Sequence, residues 1–94
     1  MKLNYSESRI YINDEAGKTV AEVTFPPVSK DLVEIKHTFV DDSLRGQGVA
    51  GELLLAVAQE LRKTGKKAYP TCPYAIHWFS GHPEFADVYS DHKS

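Results

Sequence analysis

A change in hydrophobic period halfway along the chain constrains the fold more than any other feature of the sequence. Apolar and polar residues alternate from Leu32 to Val40, which predicts a half-buried β-strand. From Ala50 onward the apolar residues recur every three or four positions, which predicts a long helix with one buried face. The residues of that face are Ala50, Leu53, Leu54, Val57, Ala58 and Leu61. The chain must therefore pass from a strand into a helix through a short loop.

The strand predicted at 32–40 has two distinct faces. One face holds Val33, Ile35, His37 and Phe39, and the other holds Glu34, Lys36 and Thr38. Two earlier strands are predicted at Arg9–Asn13 and Lys18–Phe25, because a polar turn ending in glycine separates two alternating segments.

The second half of the chain continues with a short strand and a second helix. Gly65 is placed to end the long helix, and Lys67–Pro70 is predicted as a strand. Proline suits the first position of a helix, so a second helix is predicted from about Pro73 to Phe79, with Cys72 or Thr71 as its N-cap.

Together these elements predict one α/β (α+β) domain over residues 1–94, in which antiparallel strands lead into a strand–loop–helix–strand–helix unit. A chain of 94 residues is long enough for one hydrophobic core and too short for a second domain. One further helical turn is predicted at 84–89, and residues 90–94 are expected to fray.

The composition excludes several classes of function. A net charge of −2 and a pI near 6.0 argue against a general nucleic-acid binder, which carries a basic excess. The single cysteine excludes an internal disulfide and a zinc site built on cysteine pairs, and His77, His82 and His92 show no metal-ligand spacing. No apolar run reaches the length of about 18 residues that a membrane span needs, and the N-terminus lacks the apolar core of a signal peptide. The expected location is the cytoplasm, with no metal and no membrane partner.

The chemistry is concentrated in the glycine-rich segment Arg45–Gly51, between the strongest strand and the long helix. Gly46 and Gly48 let the backbone turn tightly and let a ligand approach without a Cβ in the way. The first amides of a helix have no internal partner and, together with the helix dipole, they form a site for an anion such as phosphate. The spacing alone fits equally well a glycine loop that only turns a strand into a helix.

Two nucleotide-binding motifs fail for this segment. Gly46-x-Gly48-x-x-Gly51 matches the letters of the dinucleotide fingerprint, but that fingerprint follows a strand almost directly, and a polar loop at 41–45 intervenes here. The fingerprint also needs an acidic residue about 20 positions further on, and the next strand ends in the neutral sequence 69–71. No lysine followed by serine or threonine accompanies the glycines, which excludes a P-loop.

The pattern Arg45-x-x-Gly48-x-Ala50 resembles the signature of the GNAT N-acetyltransferase superfamily, which is Arg or Gln, two residues, Gly, one residue, then Gly or Ala. The order of elements over residues 9–80 is similar to the central part of that fold. The resemblance implies an acetyl-CoA-dependent N-acetyltransferase with an amine acceptor. Typical members carry two helices between their first two strands and two more strands at the end, so this chain resembles a short form of the family that lacks the parts that usually shape the acceptor site.

The resemblance also implies which residues hold acetyl-CoA. Backbone amides of the loop would bind its pyrophosphate; these belong to Gly46, Gln47, Gly48, Val49 and Ala50, with Arg45 adjacent. Phe39 and Val40 would offer backbone groups to the pantetheine arm, which lies along the strand end in this family. The thioester would then fall between the ends of the Leu32–Val40 and Lys67–Pro70 strands, which are parallel and splay apart in the family.

Three side chains are candidates for catalysis at the thioester. Cys72 is expected at a helix N-terminus, which lowers the pKa of a thiol, and it is a candidate acyl acceptor or proton donor; otherwise it is a small buried residue. His37 is a candidate general base or partner of Cys72, and otherwise a hydrogen-bonded core residue. Tyr74 lies in the region where the family often uses a tyrosine to protonate the leaving thiolate, and otherwise it is a packing aromatic.

Three classes of function stay open at this point. The first is an N-acetyltransferase that moves an acetyl group from acetyl-CoA to an unidentified amine, either a small molecule or a peptide. The second is an acyl-CoA-binding sensor or carrier with little or no turnover. The third is a structural domain whose glycine loop is only a turn. The sequence predicts neither the acceptor nor the oligomeric state.

Overall fold

A computed structural model describes residues 2–92. The strands are β1 (Asn4–Ser6), β2 (Arg9–Asn13), β3 (Thr19–Thr24), β4 (Pro27–Ser29), β5 (Leu32–Ile35), β6 (His37–Val40) and β7 (Lys67–Pro70). The α-helices are α1 (Val49–Thr64) and α2 (Pro73–Ser80), and 3₁₀ turns lie at Asp42–Leu44 and Pro83–Val88. The mixed α/β class and the order of these elements confirm the predicted fold.

The strands form two sheets that share one core. The first sheet has the order β1-β2-β3-β6 and is antiparallel, and the second has the order β4-β5-β7, with β5 and β7 parallel. Helix α1 packs against β2, β3, β6 and β7. Ile10 and Val23 of the first sheet and Leu53 and Val57 of α1 are fully buried in the resulting core. Burial of this apolar area is the main favourable term for folding.

The helix predictions are confirmed closely. Every residue of the apolar stripe on α1 is buried except Ala50, which is half-buried. Gly65 ends α1 with a φ of 75°, a left-handed conformation that glycine adopts without a steric penalty. Helix α2 starts at Pro73 with Cys72 as its N-cap, and the turn expected at 84–89 is a 3₁₀ turn that starts one residue earlier.

The single strand predicted at 32–40 is wrong, because the structure divides it into β5 and β6 at Lys36. Strand β5 pairs with β7 in the second sheet, and β6 pairs with β3 in the first. The N–H of Lys36 already donates to Thr24 O, at 3.1 Å, so this residue is where the chain changes sheets. One residue is inserted into the alternation there, as in a β-bulge.

The inserted residue reverses the predicted faces beyond Lys36. Val33 and Ile35 are buried as predicted, but His37 and Phe39, predicted on the same face, are exposed. Thr38, which was predicted on the polar face, turns toward the core instead and is half-buried.

Three short segments were not predicted, and the first is β4, which pairs with β5. Strand β1 is three residues long and forms a tight hairpin with β2, too short for an alternating pattern to show in the sequence. After the last 3₁₀ turn, Tyr89 forms a parallel bridge with Ala68, and the N–H of Ser90 donates to Ala68 O at 2.8 Å. Residues 1, 93 and 94 lie outside the described residues. The predicted fraying at 90–94 and the predicted domain bounds of 1–94 both include some of them.

Candidate functional site

The site is built where β6 separates from β7. Strands β5 and β7 pair in parallel register up to Ile35 and Pro70. The N–H groups of Thr71 and Cys72 then both donate to Ile35 O, at 3.0 and 3.2 Å, after which β6 leaves for the other sheet. Beside β6 and the start of α1 lies a cleft of about 520 Å³, which we call the splay cleft. It is lined by Thr38, Val40, Arg45, Gly46, Ala50 and Tyr74.

Strand β6 presents an open backbone edge to the splay cleft, since it is the last strand of its sheet among the described residues. The N–H of Asp41 donates to Val20 O at 2.8 Å. In an antiparallel ladder the paired residues alternate, so Phe39 also directs its N–H and C=O toward β3, and Thr38 and Val40 direct theirs toward the open edge. The expected backbone groups of Val40 are therefore available, whereas those of Phe39 belong to the sheet.

The glycine loop places unpaired amides at the start of α1. Gly46 and Gly48 have φ values of 81° and 71°, and a Cβ built on either would meet no protein atom within 4 Å. Gly48 is the N-cap of α1, and no side chain of residues 2–92 caps this end of the helix. Within the described residues, the N–H groups of 46–48 have no backbone acceptor. The loop is thus held open in a conformation that directs N–H donors outward, as an anion site requires.

The loop before the glycines is fixed by its own acidic residue. The Asp41 carboxylate accepts hydrogen bonds from the N–H and the hydroxyl of Ser43, at 3.0 and 2.6 Å. These hydrogen bonds hold the pKa of Asp41 below its usual range. Arg45, at the mouth of the splay cleft, is ion-paired with Asp42 at 2.8 Å (Nε to Oδ1).

Cys72 lies at the point where the strands separate. Its side chain is 9% exposed, and its Sγ lies 3.4 Å from Thr38 Oγ1, within the distance of a sulfur hydrogen bond. This contact joins the start of α2 to β6 across the gap. Thr38 is therefore a site residue that the sequence did not suggest, because the uninterrupted alternation assigned it to the opposite face.

His37 lies on the other side of the sheet from Cys72, which corrects the predicted pairing of these two residues. Its side chain is 57% exposed, and its Nε2 lies 3.9 Å from Glu22 Oε2, while Glu22 is also ion-paired with Arg9. The reason is the inserted residue at Lys36, which turns His37 outward. The catalytic role of His37 stays a prediction, but not as the partner of Cys72.

Tyr74 lines the splay cleft nearer to the glycine loop than the sequence suggested. Its side chain is 44% exposed, and its hydroxyl lies 3.9 Å from the position that a Cβ would take at Gly51 in the first turn of α1. Tyr74 also lines a second groove of about 490 Å³ between α1 and α2, together with Leu55 and Trp78. The hydroxyl is therefore placed beside the start of α1.

Residues 2–92 contain neither a candidate metal site nor a candidate membrane-spanning helix. No group of three His, Cys, Asp or Glu side chains in this range is arranged to hold a metal ion. No helix in the same range is long and apolar enough to cross a membrane.

Comparison with known proteins identifies the family. Residues 9–88 match the family model described as GCN5-related N-acetyl-transferase. A Staphylococcus aureus protein described as a GCN5-like N-acetyltransferase, solved by NMR, is 34% identical with a TM-score of 0.79, over 95% of this chain and 87% of that one. A search of curated protein sequences gives no match.

Longer proteins share the fold at lower identity. A GNAT family N-acetyltransferase from Escherichia coli, crystallised with CoA, is 23% identical with a TM-score of 0.62, over 83% of this chain and 44% of that one. The ribosomal-protein-S18-alanine N-acetyltransferase of Escherichia coli is 20% identical with a TM-score of 0.63, over 78% of this chain and 49% of that one. The chain thus spans about half the length of these two relatives. With the family match over residues 9–88, the chain belongs to the GCN5-related N-acetyltransferase family.

Proposed function

We propose that this protein binds acetyl-CoA in the splay cleft and transfers the acetyl group to an amine. The observation that carries the proposal is the separation of β6 from β7 beside a loop whose amides at 46–48 have no backbone acceptor among the described residues. The open edge of β6 and the glycine loop, our proposed anion site, line the same cleft. Membership of the family and the CoA bound to a relative of the same fold support the same ligand.

The residues of the cleft fit the chemical parts of acetyl-CoA. We assign the pyrophosphate to the amides of Gly46, Gln47, Gly48, Val49 and Ala50, with Arg45 adjacent. The positive φ values and the empty space above Gly46 and Gly48 suit the close approach of a phosphate to the backbone. We assign the amide groups of the pantetheine arm to the open edge of β6, at Thr38 and Val40, in place of Phe39. This assignment puts the thioester beside Cys72.

The transfer requires one bond to form, one to break and one proton to move. Bound acetyl-CoA supplies an activated acetyl group. The amine nitrogen forms a bond to the acetyl carbon, the carbon–sulfur bond breaks, the amine loses a proton and the departing sulfur gains one. The Cys72 thiol is our proposed donor of that proton. Tyr74 is the alternative donor, because it lines the splay cleft and its hydroxyl lies beside the start of α1. In a two-step route Cys72 itself accepts the acetyl group and passes it to the amine.

One observation favours the second candidate function, an acyl-CoA carrier or sensor without turnover. Cys72, the proposed proton donor or acyl acceptor, is buried and already hydrogen-bonded to Thr38. A cleft whose thiol takes no part in transfer would hold acyl-CoA and release it unchanged. Turnover with amines separates the two functions.

The first experiment is a titration followed through backbone amide resonances. Acetyl-CoA and CoA are expected to shift the resonances of 46–50 and of β6, and NAD and ATP to leave them nearly unchanged at equal concentration. Resonances of the hairpin turn at 14–18 serve as the internal control. Shifts caused by NAD and not by CoA would contradict the proposal.

The second experiment measures acetyl transfer to a panel of amines, both small molecules and peptides. Release of free CoA that depends on the amine, with a matching acetylated product, supports the transferase. A mass increase of one acetyl group on Cys72 that is removed by hydroxylamine supports the two-step route. Binding of acetyl-CoA without any amine-dependent release supports the carrier.

A third experiment tests His37 separately from Cys72. If His37 is the general base, His37→Gln should lower the rate of transfer and remove its contribution to the pH profile. The alkylation rate of Cys72 should stay within about twofold, because the two side chains lie on opposite sides of the sheet. A normal rate and pH profile would leave His37 as a surface residue.

A further inference from the structure

The mouth of the splay cleft carries one cationic side chain among its described lining residues. Arg45 lines both the splay cleft and a smaller hollow of about 210 Å³ above Gly48. Its guanidinium does not face the cleft freely, because its Nε lies 2.8 Å from Asp42 Oδ1. The side chains of this pair are 79% and 87% exposed, so solvent reaches both. Arg45 is thus held by a neighbour that an arriving anion could replace.

The two neighbouring aspartates have different tasks. The Asp41 carboxylate accepts from the N–H and the hydroxyl of Ser43 and so holds the 3₁₀ turn that leads into the loop. The Asp42 carboxylate is ion-paired with Arg45. Removal of the Asp42 charge would therefore leave the turn intact and change only the charge that Arg45 faces.

We propose that Asp42 competes with the phosphates of acetyl-CoA for Arg45 and thereby lowers the affinity of the cleft. This inference rests on the proposed function, since it needs acetyl-CoA at the glycine loop. An exposed ion pair is weak, and an arginine binds a phosphate through charge-assisted hydrogen bonds, so the exchange from Asp42 to a phosphate is favourable. Asp42 is then a positioning residue that acts through Arg45 and need not touch the ligand.

The test is a double-mutant cycle on the affinity for CoA, measured by calorimetry at about 0.15 M salt. Asp42→Asn is expected to tighten CoA binding about two- to fivefold, the range of an exposed ion pair. Arg45→Gln is expected to weaken it. In the Arg45→Gln background, Asp42→Asn should no longer change the affinity, because the partner through which it acts is absent.

Two outcomes overturn the inference. If Asp42→Asn leaves the affinity of the wild-type chain unchanged, there is no competition. If it tightens binding equally in both backgrounds, Asp42 acts by direct repulsion of the ligand and not through Arg45. The matched control is Asp31→Asn, which removes the same charge from an exposed turn at the far end of β5 and should leave the affinity unchanged.

The result also separates this inference from the proposed function. A wild-type chain that binds no CoA overturns both. A wild-type chain that binds CoA, with an affinity that is insensitive to Asp42→Asn, overturns this inference alone. Unfolding curves of the variants should coincide with that of the wild type, so that a change in affinity is not a change in the folded fraction.

Discussion

The two ends of α1 have the same backbone conformation but are completed in opposite ways. Gly48 and Gly65 flank the helix with φ values of 71° and 75°, and a Cβ on either would meet no protein atom within 4 Å. At the C-terminal end the N–H groups of Gly65 and Lys66 both donate to Leu61 O, and the hydroxyl of Thr64 donates to Glu60 O. At the N-terminal end no side chain in the described part of the chain caps the helix.

We interpret the closed end as structural and the open end as the proposed binding end. The closed end satisfies the last carbonyls of the helix, as a stable C-terminus requires. The open end leaves N–H donors for something outside the chain. Since a residue with a side chain is strained in the left-handed conformation at either end, a matched pair of substitutions separates the cost of backbone strain from the loss of a ligand.

The largest effect is expected for Gly48→Val compared with Gly65→Val. Both variants force a β-branched residue into the left-handed region, which costs about 1–2 kcal/mol of stability. Only Gly48→Val also places a side chain where the pyrophosphate approaches. Loss of two or more charge-assisted hydrogen bonds should weaken CoA binding about a hundredfold or more. Calorimetry measures the affinity, and circular dichroism checks that both variants are folded.

If either valine variant fails to fold, the milder pair Gly48→Ala and Gly65→Ala keeps the comparison. Equal losses of affinity at both ends would mean that strain alone explains the effect. Unchanged affinity in a folded Gly48→Val would place the phosphate site elsewhere.

The sequence predicted α1 well because its two ends and its buried face are local features. The stripe from Leu53 to Leu61 and the glycine at 65 require no knowledge of distant contacts. The open N-terminus was predicted for the same reason. Motif and helix start coincide in the segment Arg45–Gly51, so the candidate anion site could be located from the sequence alone.

The division of the strand at Lys36 could not be predicted, because the pairing partners that impose it are distant in sequence. Strand β5 pairs with β7, about 35 residues later, and β6 pairs with β3, before it. Period-two alternation continues through His37 and Phe39 in the sequence, so the alternation itself did not mark an inserted residue. The face predicted to be polar carries Leu32 and Val40 at its two ends, and Val40 was the signal within β6 that the buried face changes. Thr38, which contacts Cys72, was missed for this reason.

A second helix start sharpens the comparison. Helix α2 also begins without a side-chain cap from any described residue, and its N-cap is Cys72. We expect Cys72→Ala to slow acetyl transfer about tenfold while CoA affinity changes less than threefold. The expected loss lies below the usual contribution of general acid catalysis, about 10²–10⁴, because a thiolate is already a good leaving group. Steady-state kinetics and calorimetry together give the two numbers.

The same residue offers a test that does not depend on the acceptor. The pantetheine arm should cover Cys72, so CoA is expected to protect it from alkylation. Thr38→Val, which removes the hydroxyl partner, should raise the alkylation rate in the free protein and retain protection by CoA. A rate that CoA leaves unchanged would return Cys72 to a purely packing role, as would normal turnover by Cys72→Ala.

The smallest effect is expected at the closed end of α1, where Arg62 is bound to the last 3₁₀ turn. Its guanidinium donates to both carboxylate oxygens of Asp87, at 2.8 and 2.6 Å, and lies 4.4 Å from the centre of the Phe85 ring. The hydrogen bond from Arg62 lowers the pKa of Asp87.

A carboxylate whose folded pKa is lowered stabilises the fold above its unfolded pKa, and this contribution is lost as the pH falls through the folded value. Asp87→Asn should therefore be slightly less stable than the wild type above about pH 5, and the difference should vanish in stronger acid. Chemical denaturation across this range measures it, with Asp31→Asn as the charge-matched control. The CoA affinity of Asp87→Asn should equal that of the wild type, because the bond closes the end of α1 opposite the splay cleft; a weakened affinity would show that the two ends of the helix are coupled.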